Sequence, residues 1–306
     1  MRNFTYLNNL FRQFVKDLST SDFIVTNQVN LDKIPTKLET DESKKEKKKA
    51  LKKVGKKLSK LQNTMYAHNR YGVLVCLQGM DTSGKDSLIR EVFSKFNPRG
   101  VVVHSFKSPS RKELQHDYLW RHYVALPEKG KYSIFNRSHY ENLLVTRVNP
   151  RYVLLENIPG IKKEEDIPDD FWEKRFNQIR NFEEHITQNG IIVFKFFLHM
   201  SKEEQRLRLL RRLEKKDKHW KFAPEDLSER ELWKQYQSYY QEAINKTSMP
   251  FAPWYIIPAD DKPTARYVVA KIIYEKMVQY KNITEPQADE NLLKNIDKYK
   301  EILSKE

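Results

Sequence analysis

A glycine-rich segment that follows an apolar run constrains this chain more than any other feature of its sequence. Residues 79–86 read GMDTSGKD, match the pattern G-x-x-x-x-G-K, and come directly after the run from Val73 to Leu77. In such a loop the glycines let backbone N–H groups converge on phosphate oxygens, and the next helix presents its positive end. The sequence therefore predicts a phosphate-binding loop after the first strand, with the phosphate held by Gly79, Ser83, Gly84, Lys85 and Asp86.

Further apolar or β-branched runs predict the other strands of a sheet. They lie at Val101 to Phe106, Tyr132 to Phe135, Ile191 to Leu198 and Trp254 to Ile257. Helical patterns separate them, at Lys85 to Phe96, Phe171 to Thr187, Lys202 to Leu213 and Leu227 to Ile244. Alternating strands and helices predict an α/β fold: a P-loop kinase core with a five-stranded parallel sheet, helices on both faces and a helical lid.

Two aspartates set this loop apart from the usual nucleotide-binding loop. Asp86 stands where a serine or threonine would hold magnesium, so another residue must hold the metal. Asp81 is the candidate, because a carboxylate in a phosphate cradle repels its ligand unless a divalent cation lies between them. The alternative for Asp81 is a turn aspartate that bonds its own backbone, and Asp86 also suits the positive end of the helix.

The end of the third strand supplies a second set of candidates. Asn136, Arg137 and Glu141 are expected near the carboxyl edge of the sheet, where open α/β sheets bind ligands. Arg137 has the planar fork that grips phosphate during transfer. Glu141 is a possible metal ligand, but Ser138-x-x-Glu141 equally fits a capping box for the next helix.

Between the second and third strands, Lys107 and Arg121 are expected to reach the same cleft as the phosphate loop. Asp117 is a candidate catalytic residue that orients an acceptor phosphate or a second metal. A hydrogen-bonded structural aspartate is an equally good interpretation of that position.

A basic segment after the fourth strand predicts a lid over the phosphates, at residues 205–226. Ser201-x-x-Glu204 begins a helix, and eight Lys or Arg residues follow with only two acids between Arg206 and Lys221. A lid excludes water and adds donors during transfer, whereas the alternative is an exposed charged face. The lid's predicted phosphate ligands are Arg208, Arg212, Lys218 and Lys221.

Composition limits the partners and the compartment. Fifty-six Lys and Arg against 41 Asp and Glu give a formal net charge of +15, which attracts polyanions. The single cysteine, Cys76, excludes an intrachain disulfide and favours the cytoplasm. Neither a signal peptide nor a membrane span is expected. We expect an N-terminal arm (1–42), a basic amphipathic helix packed on the core (43–70), the phosphotransferase domain (71–284) and a helical tail (285–306).

Taken together, the motifs resemble those of the polyphosphate kinase 2 family. The resemblance covers about residues 51–280 and rests on GxDxxGKD at 79–86, NPxGV at 97–101, SFK at 105–107, HDYLWR at 116–121, FNRSHYE at 135–141 and WKF at 220–222. It implies a thymidylate-kinase-like core, usually oligomeric (a dimer or tetramer), with Asp81 and Lys85 as the metal and phosphate residues. Asparagine at position 136 and glutamate at position 141 resemble the residues found in the family branch that accepts nucleoside monophosphates as well as diphosphates.

The resemblance implies a reaction in which inorganic polyphosphate and Mg²⁺, or possibly Mn²⁺, convert AMP to ADP and ADP to ATP. Transfer is expected to be direct and in line, without a covalent enzyme intermediate. Two alternatives stay open: an ATP-dependent nucleoside monophosphate kinase, and a non-catalytic protein that binds polyanions or nucleic acid. No nucleic-acid-binding motif accompanies the cations, so nucleic acid is not the expected partner.

Overall fold

The core of the fold is a five-stranded sheet in which every pairing is parallel. The computed structural model describes residues 17–306, so residues 1–16 of the predicted arm lie outside the described part. The strand order is β2-β3-β1-β4-β5, which confirms the predicted parallel sheet. The strands are β1 (Gly72–Gln78), β2 (Val101–Ser105), β3 (Tyr132–Asn136), β4 (Ile191–His199) and β5 (Trp254–Pro258).

Helices connect the strands and cover the sheet. In chain order they are α1 (Lys44–His68), α2 (Lys85–Val92), α3 (Trp120–Tyr123), α4 (Glu141–Val148), α5 (Arg151–Leu154), α6 (Phe171–Gln188), α7 (Lys202–Glu214), α8 (Glu225–Glu231), α9 (Trp233–Thr247), α10 (Lys262–Met277) and α11 (Glu290–Ser304). The prediction of a single helix from Leu227 to Ile244 is wrong, because the helix is interrupted at Leu232, between α8 and α9.

Helix α1 is amphipathic and packs against α10, as the lysine-rich pattern predicted. Ser43 and Glu46 form a capping box at its start. One face buries Leu58 and Met65 in the core, while most of the lysines stay exposed. Lys47 is the exception, since its Nζ lies 2.8 Å from Asp261 at the start of α10. The helix therefore stabilises the domain through its apolar face and leaves a cationic surface to solvent.

The described part of the N-terminal arm packs along β5 and the adjacent helices. The backbone N–H of Val25 donates to the carbonyl oxygen of Trp254 at 2.9 Å, and Ile24 forms an antiparallel bridge with Tyr255. Phe23 and Leu31 are buried in the main core. The arm from residue 17 onward is therefore part of the folded domain.

Helix α11 lies within the predicted tail, and none of its side chains is buried. Apolar residues such as Ile296 and Leu303 are exposed on it. Within residues 17–306, no helix combines the length and the apolar character that crossing a bilayer requires.

Candidate active site

The phosphate loop connects β1, the central strand, to α2 through two glycines with positive φ. Gly79 has φ +145°, and a β-carbon there would lie 2.9 Å from the carbonyl oxygen of Leu198. Gly84 has φ +109° immediately before helix α2 begins at Lys85. Both positions exclude a side chain, because it would strain the backbone and, at Gly79, collide with β4. The loop takes the strand-to-helix geometry that the motif predicts.

Lys85 lies inside this loop with its amine close to the phosphate position. Its Nζ donates to the carbonyl oxygen of Gly79 at 2.6 Å and is 3.4 Å from the hydroxyl of Ser83. Burial, together with the nearby charge of Arg137 and against the opposing effect of Asp81, lowers the pKa of Lys85 to about 8. The surrounding protein groups therefore stabilise the charge of this amine weakly, whereas a phosphate would stabilise it strongly.

Arg137 joins the two candidate metal ligands. Its guanidinium lies 2.9 Å from Asp81 and 3.2 Å from Glu141. Its backbone is left-handed, with φ +62°, directly after strand β3. The carboxylate of Glu141 and then that of Asp81 raise the pKa of Arg137 above its ordinary value against the effect of burial. The three residues thus form one charged group beside the phosphate loop.

The alternative capping box at Ser138 and Glu141 is wrong. The N-cap residue of α4 is Tyr140, and its side chain accepts no capping hydrogen bond. The Glu141 carboxylate instead accepts from Arg137, and the Ser138 hydroxyl accepts from the amide of Gln78 at 3.1 Å. Glu141 therefore pairs with Arg137 and lines the two cavities beside the phosphate loop, and it does not cap its own helix.

Asn136 and Asp86 contact each other across the same edge of the sheet. The Asn136 side-chain amide donates to Asp86 Oδ1 at 2.7 Å. Asp86 lies in the first turn of α2, where a negative charge is favourable. The pair fixes the start of the helix relative to β3, and both side chains line the phosphate cleft.

A buried ion pair supports the loop that carries Arg137. Lys195, in the middle of β4, donates to Glu183 at 2.6 Å and to the hydroxyl of Tyr140 at 2.9 Å, and both charged side chains are fully buried. His139 lies 3.2 Å from the other oxygen of Glu183. Burial opposes the charge of Glu183, but Lys195 and His139 hold its pKa below the ordinary value. The buried pair thereby holds His139 and Tyr140, which follow Arg137 in the chain, in place.

The phosphate loop opens into a strongly cationic cleft of about 420 Å³. Among residues 17–306, ten Lys or Arg side chains line it against two aspartates, Asp81 and Asp86. The sequence predictions did not include four of these cations: Arg90, Arg211, Lys262 and Arg266. Lys262 and Arg266 lie one helical turn apart at the start of α10, after the fifth strand, and that spacing at a strand end was the available signal.

Arg208 lies against the phosphate loop. It is buried, and its guanidinium donates to the carbonyl oxygens of Thr82 and Ser83 in the loop at 2.9 and 2.8 Å and to that of Ala259 after β5 at 2.6 Å. Its Nε donates to Glu204 at 2.7 Å. These contacts make Arg208 a support for the back of the phosphate loop, although it also lines the cleft, and its predicted role as a phosphate ligand stays a prediction.

The remaining lid candidates do line the cleft. Arg212, Lys218 and Lys221 are all lining residues, together with Arg211. Arg212 donates to the carbonyl oxygen of Lys221 at 2.9 Å and pairs with Asp226 at 3.1 Å. The segment predicted to be a lid therefore consists of a helix end, a short 3-10 turn (Lys216–Lys221) and the start of α8.

Lys107, Arg121 and Asp117 line a neighbouring cavity of about 190 Å³, not the phosphate cleft. The expectation that Lys107 and Arg121 reach that cleft is wrong, because Arg121 is held against Glu113 at 3.3 Å and against the carbonyl oxygen of Lys107 at 2.9 Å. One oxygen of Asp117 accepts from the N–H of Leu119 at 2.8 Å. Arg137 borders both cavities and so connects them.

The acidic residues of the site suit a metal that phosphate helps to hold. Within residues 17–306, no three His, Cys, Asp or Glu side chains are grouped to hold a metal ion by themselves. Asp81 is partly exposed at the mouth of the loop, and Arg137 contacts its Oδ1. Mg²⁺ is commonly bound by one or two carboxylates together with substrate phosphates and water. This donor set fits such an ion, whereas Asp117 lies in the other cavity.

Comparison with known proteins agrees with this geometry. Residues 41–286 match the family described as polyphosphate kinase 2 (PPK2). The chain belongs to the polyphosphate kinase 2 family. The match spans the P-loop, the Arg137 segment and the lid, so the resemblance seen in the sequence motifs is confirmed.

Relatives within this family are similar over most of their length. An "ADP-polyphosphate phosphotransferase" of Rhodopseudomonas palustris is 46% identical over 255 residues, which cover 83% of this chain and 87% of the relative. An "AMP/ADP-polyphosphate phosphotransferase" of Meiothermus ruber is 46% identical over 220 residues, covering 72% and 77%. The crystal structure of polyphosphate kinase 2 from Arthrobacter aurescens superposes with a TM-score of 0.80 at 30% identity, covering 92% and 94%. The kinase fold predicted from the sequence is confirmed.

Proposed function

We propose that this chain transfers phosphate from inorganic polyphosphate to AMP and to ADP, forming ADP and ATP. The observation that carries the proposal is the cleft around Lys85, where cationic side chains greatly outnumber acidic ones beside a P-loop. A polyanionic donor suits such a cleft, because its repeated charges meet several cations at once. The printed names of the relatives from Rhodopseudomonas and Meiothermus support the same donor and the same acceptors.

The neighbouring cavity suits the nucleoside part of the acceptor. Apolar and aromatic side chains contribute much of its lining, among them Phe106, Tyr118, Tyr152 and Leu155. Such surfaces bind a nucleobase by stacking and by burial of apolar area. Because Arg137 borders both cavities, a nucleotide in this cavity would direct its phosphate toward the end of the donor chain.

The reaction proposed is a direct in-line displacement. A terminal phosphate oxygen of the nucleotide forms a bond to the end phosphorus of polyphosphate, and the bond from that phosphorus to its bridging oxygen breaks. The bridging oxygen leaves with the shortened chain. Lys85 and Arg137 stabilise the negative charge that spreads over the transferring group.

We propose Mg²⁺, with Mn²⁺ as a possible substitute, as the ion held by Asp81 and by Glu141. When bound, the ion neutralises phosphate charge between the donor chain and the carboxylates. The family resemblance also implies a homo-oligomer, a dimer or a tetramer, and this stays a prediction, as do the cytoplasmic location and the absence of a nucleic-acid partner.

The test supplies purified protein with Mg²⁺ and polyphosphate, adds AMP or ADP separately, omits ATP, and separates the products by ion-exchange chromatography. We expect ADP and ATP from AMP, and ATP from ADP. Product that forms only when ATP replaces polyphosphate would identify the nucleoside monophosphate kinase instead. Tight polyphosphate binding without any product would identify the non-catalytic polyanion-binding protein.

The lowered pKa of Lys85 predicts a pH dependence. The protonated amine binds phosphate, so kcat/KM for tripolyphosphate is expected to fall as the pH rises through about 8, the pKa of Lys85 before phosphate binds. Arginine keeps its charge throughout this range, so Lys85→Arg is expected to move the fall to higher pH. The measurement is kcat/KM against pH with chromatographic detection of ATP. A wild-type profile that is level through pH 8, or a fall that Lys85→Arg leaves in place, would contradict the assignment.

A further inference from the structure

We propose that the open edge strand β2 is an interface between two copies of this chain, which pair antiparallel through residues 101–105 and join their five-stranded sheets into one. The second copy is related to the first by a two-fold axis at Val103. The family resemblance implies a homo-oligomer but assigns no surface to it. This inference supplies that surface and does not depend on the proposed reaction.

The two edges of the sheet differ in what covers them. At the β5 edge, the N-terminal arm adds a backbone hydrogen bond from Val25 to Trp254 and a bridge between Ile24 and Tyr255. At the other edge β2 pairs with β3, and no further strand lies beyond it among residues 17–306. The chain therefore covers one edge by itself and leaves the other edge open.

The backbone groups of β2 that point away from β3 belong to alternate residues. The N–H of Phe106 donates to the carbonyl oxygen of Asn136, at the end of β3, at 3.1 Å. Because successive residues of a strand direct their backbone groups to opposite sides, those of Val101, Val103 and Ser105 face outward. A row of this kind is a template for the pairing of another strand.

A two-fold axis at Val103 makes this row complementary to itself. Val103 then lies opposite Val103 of the second copy, and Val101 lies opposite Ser105. Both residues of each such pair have outward backbone groups and exchange two hydrogen bonds, so the three pairs give about six bonds. A contact that uses the same surface of both copies closes a dimer and leaves neither β2 edge open.

The side chains of β2 favour pairing over exposure to water. Val102 and Val103 lie on opposite faces of the sheet and are 44% and 47% exposed. Residues 101–105 read VVVHS and include neither a proline nor a lysine, the residues that commonly protect an edge strand from association. Burial lowers the pKa of His104, so this side chain is neutral at pH 7. In a chain of net charge +15, the strand itself therefore adds no repulsion between copies.

The charges on either side of the strand predict how salt acts on the pair. The same two-fold axis brings Arg99 of one copy toward Lys107 of the other, so like charges approach at both ends. Salt screens this repulsion and leaves the backbone bonds and the apolar contact in place. Association through β2 is therefore expected to strengthen between about 50 and 500 mM NaCl, whereas copies bridged by a bound polyanion would separate.

The test measures the dissociation constant between full-length copies by sedimentation equilibrium, with Val103→Lys as the variant. Two lysines would face each other at the axis, so we expect the constant to rise at least about 10-fold. The matched control, Leu303→Lys, adds the same charge to the exposed apolar face of α11 and is expected to leave the constant unchanged. A wild-type protein that stays monomeric, an unchanged constant for Val103→Lys, or an equal rise for Leu303→Lys would overturn the interface.

A cysteine at the axis tests the geometry independently of affinity. Residues that face each other in a hydrogen-bonded antiparallel pair have Cα atoms about 5.5 Å apart, within the range that a disulfide spans. We expect Val103→Cys to form a disulfide-linked dimer with oxidised glutathione on non-reducing gels, whereas Val102→Cys, which lies diagonally from its own copy, links much more slowly. The natural Cys76 is buried. Equal rates for the two variants would overturn the pairing at Val103, and thermal unfolding shows whether each variant keeps its fold.

Discussion

Replacing Lys85 with methionine is expected to lower kcat for ATP formation from polyphosphate and ADP by about 100- to 1,000-fold, the usual effect of removing one preorganised donor to transition-state charge. Methionine keeps most of the side-chain volume and removes the cation from the phosphate loop. The bonds of Lys85 run to Gly79, Met80 and Ser83 of its own loop, so the fold should survive. The measurement is steady-state kinetics with saturating Mg²⁺ and polyphosphate.

The control for this variant is Lys53→Met, which removes a lysine from the exposed face of α1 and should leave kcat unchanged. Circular dichroism and thermal unfolding are measured for both proteins. If the Lys85 variant folded normally and retained kcat within a few-fold of wild type, transfer would not depend on the P-loop amine.

The second large effect concerns stability. Lys195→Met is expected to lower the free energy of unfolding by about 3–5 kcal/mol, because it leaves the carboxylate of Glu183 buried without its cation. Urea denaturation measures the change. The double variant Lys195→Met/Glu183→Leu removes both charges and is expected to recover a large part of the loss.

An exposed ion pair provides the comparison. Lys131 and Glu128 lie 2.7 Å apart, and the side chain of Glu128 is 74% exposed. Lys131→Met should therefore cost less than about 1 kcal/mol. Equal losses of stability for the Lys195 and Lys131 variants would show that burial does not make the internal pair important.

Lys195→Met should also reduce kcat, because Tyr140 and His139 connect the Lys195–Glu183 pair to the Arg137 segment.

The secondary structure was largely predictable because the buried strands are continuous apolar runs bounded by polar segments. β1 and β4 lie within one residue of the predicted bounds at each end. The break at Leu232 was not predictable, since neither a glycine nor a proline marks it. The sequence predictions did not include Lys195, although a lysine within an apolar strand is a signal for a buried partner, and only the fold identifies that partner as Glu183.

The candidate site was predictable where its chemistry is local in the chain. The phosphate loop, Lys85 and the Arg137 segment are each encoded in a few consecutive residues, and the structure brings them together. The contacts of Arg208 were not predicted because helical spacing shows which residues share a face, but not what that face contacts. Lys262 and Arg266 were missed for a related reason: their distance from the P-loop depends on strand order. The roles of the individual site residues stay predictions until the variants are measured.

The support that Arg208 gives to the phosphate loop limits which part of the predicted lid is expected to move. Helix α7 is tied by this one side chain to the carbonyl oxygens of Thr82, Ser83 and Ala259, so its first half belongs to the rigid body of the domain. The chain leaves the helical conformation at Lys215, where φ is −107° and ψ is 110°. A hinge for closure is therefore expected after Glu214, so that Lys218 and Lys221 swing over the donor while the loop beneath keeps its shape.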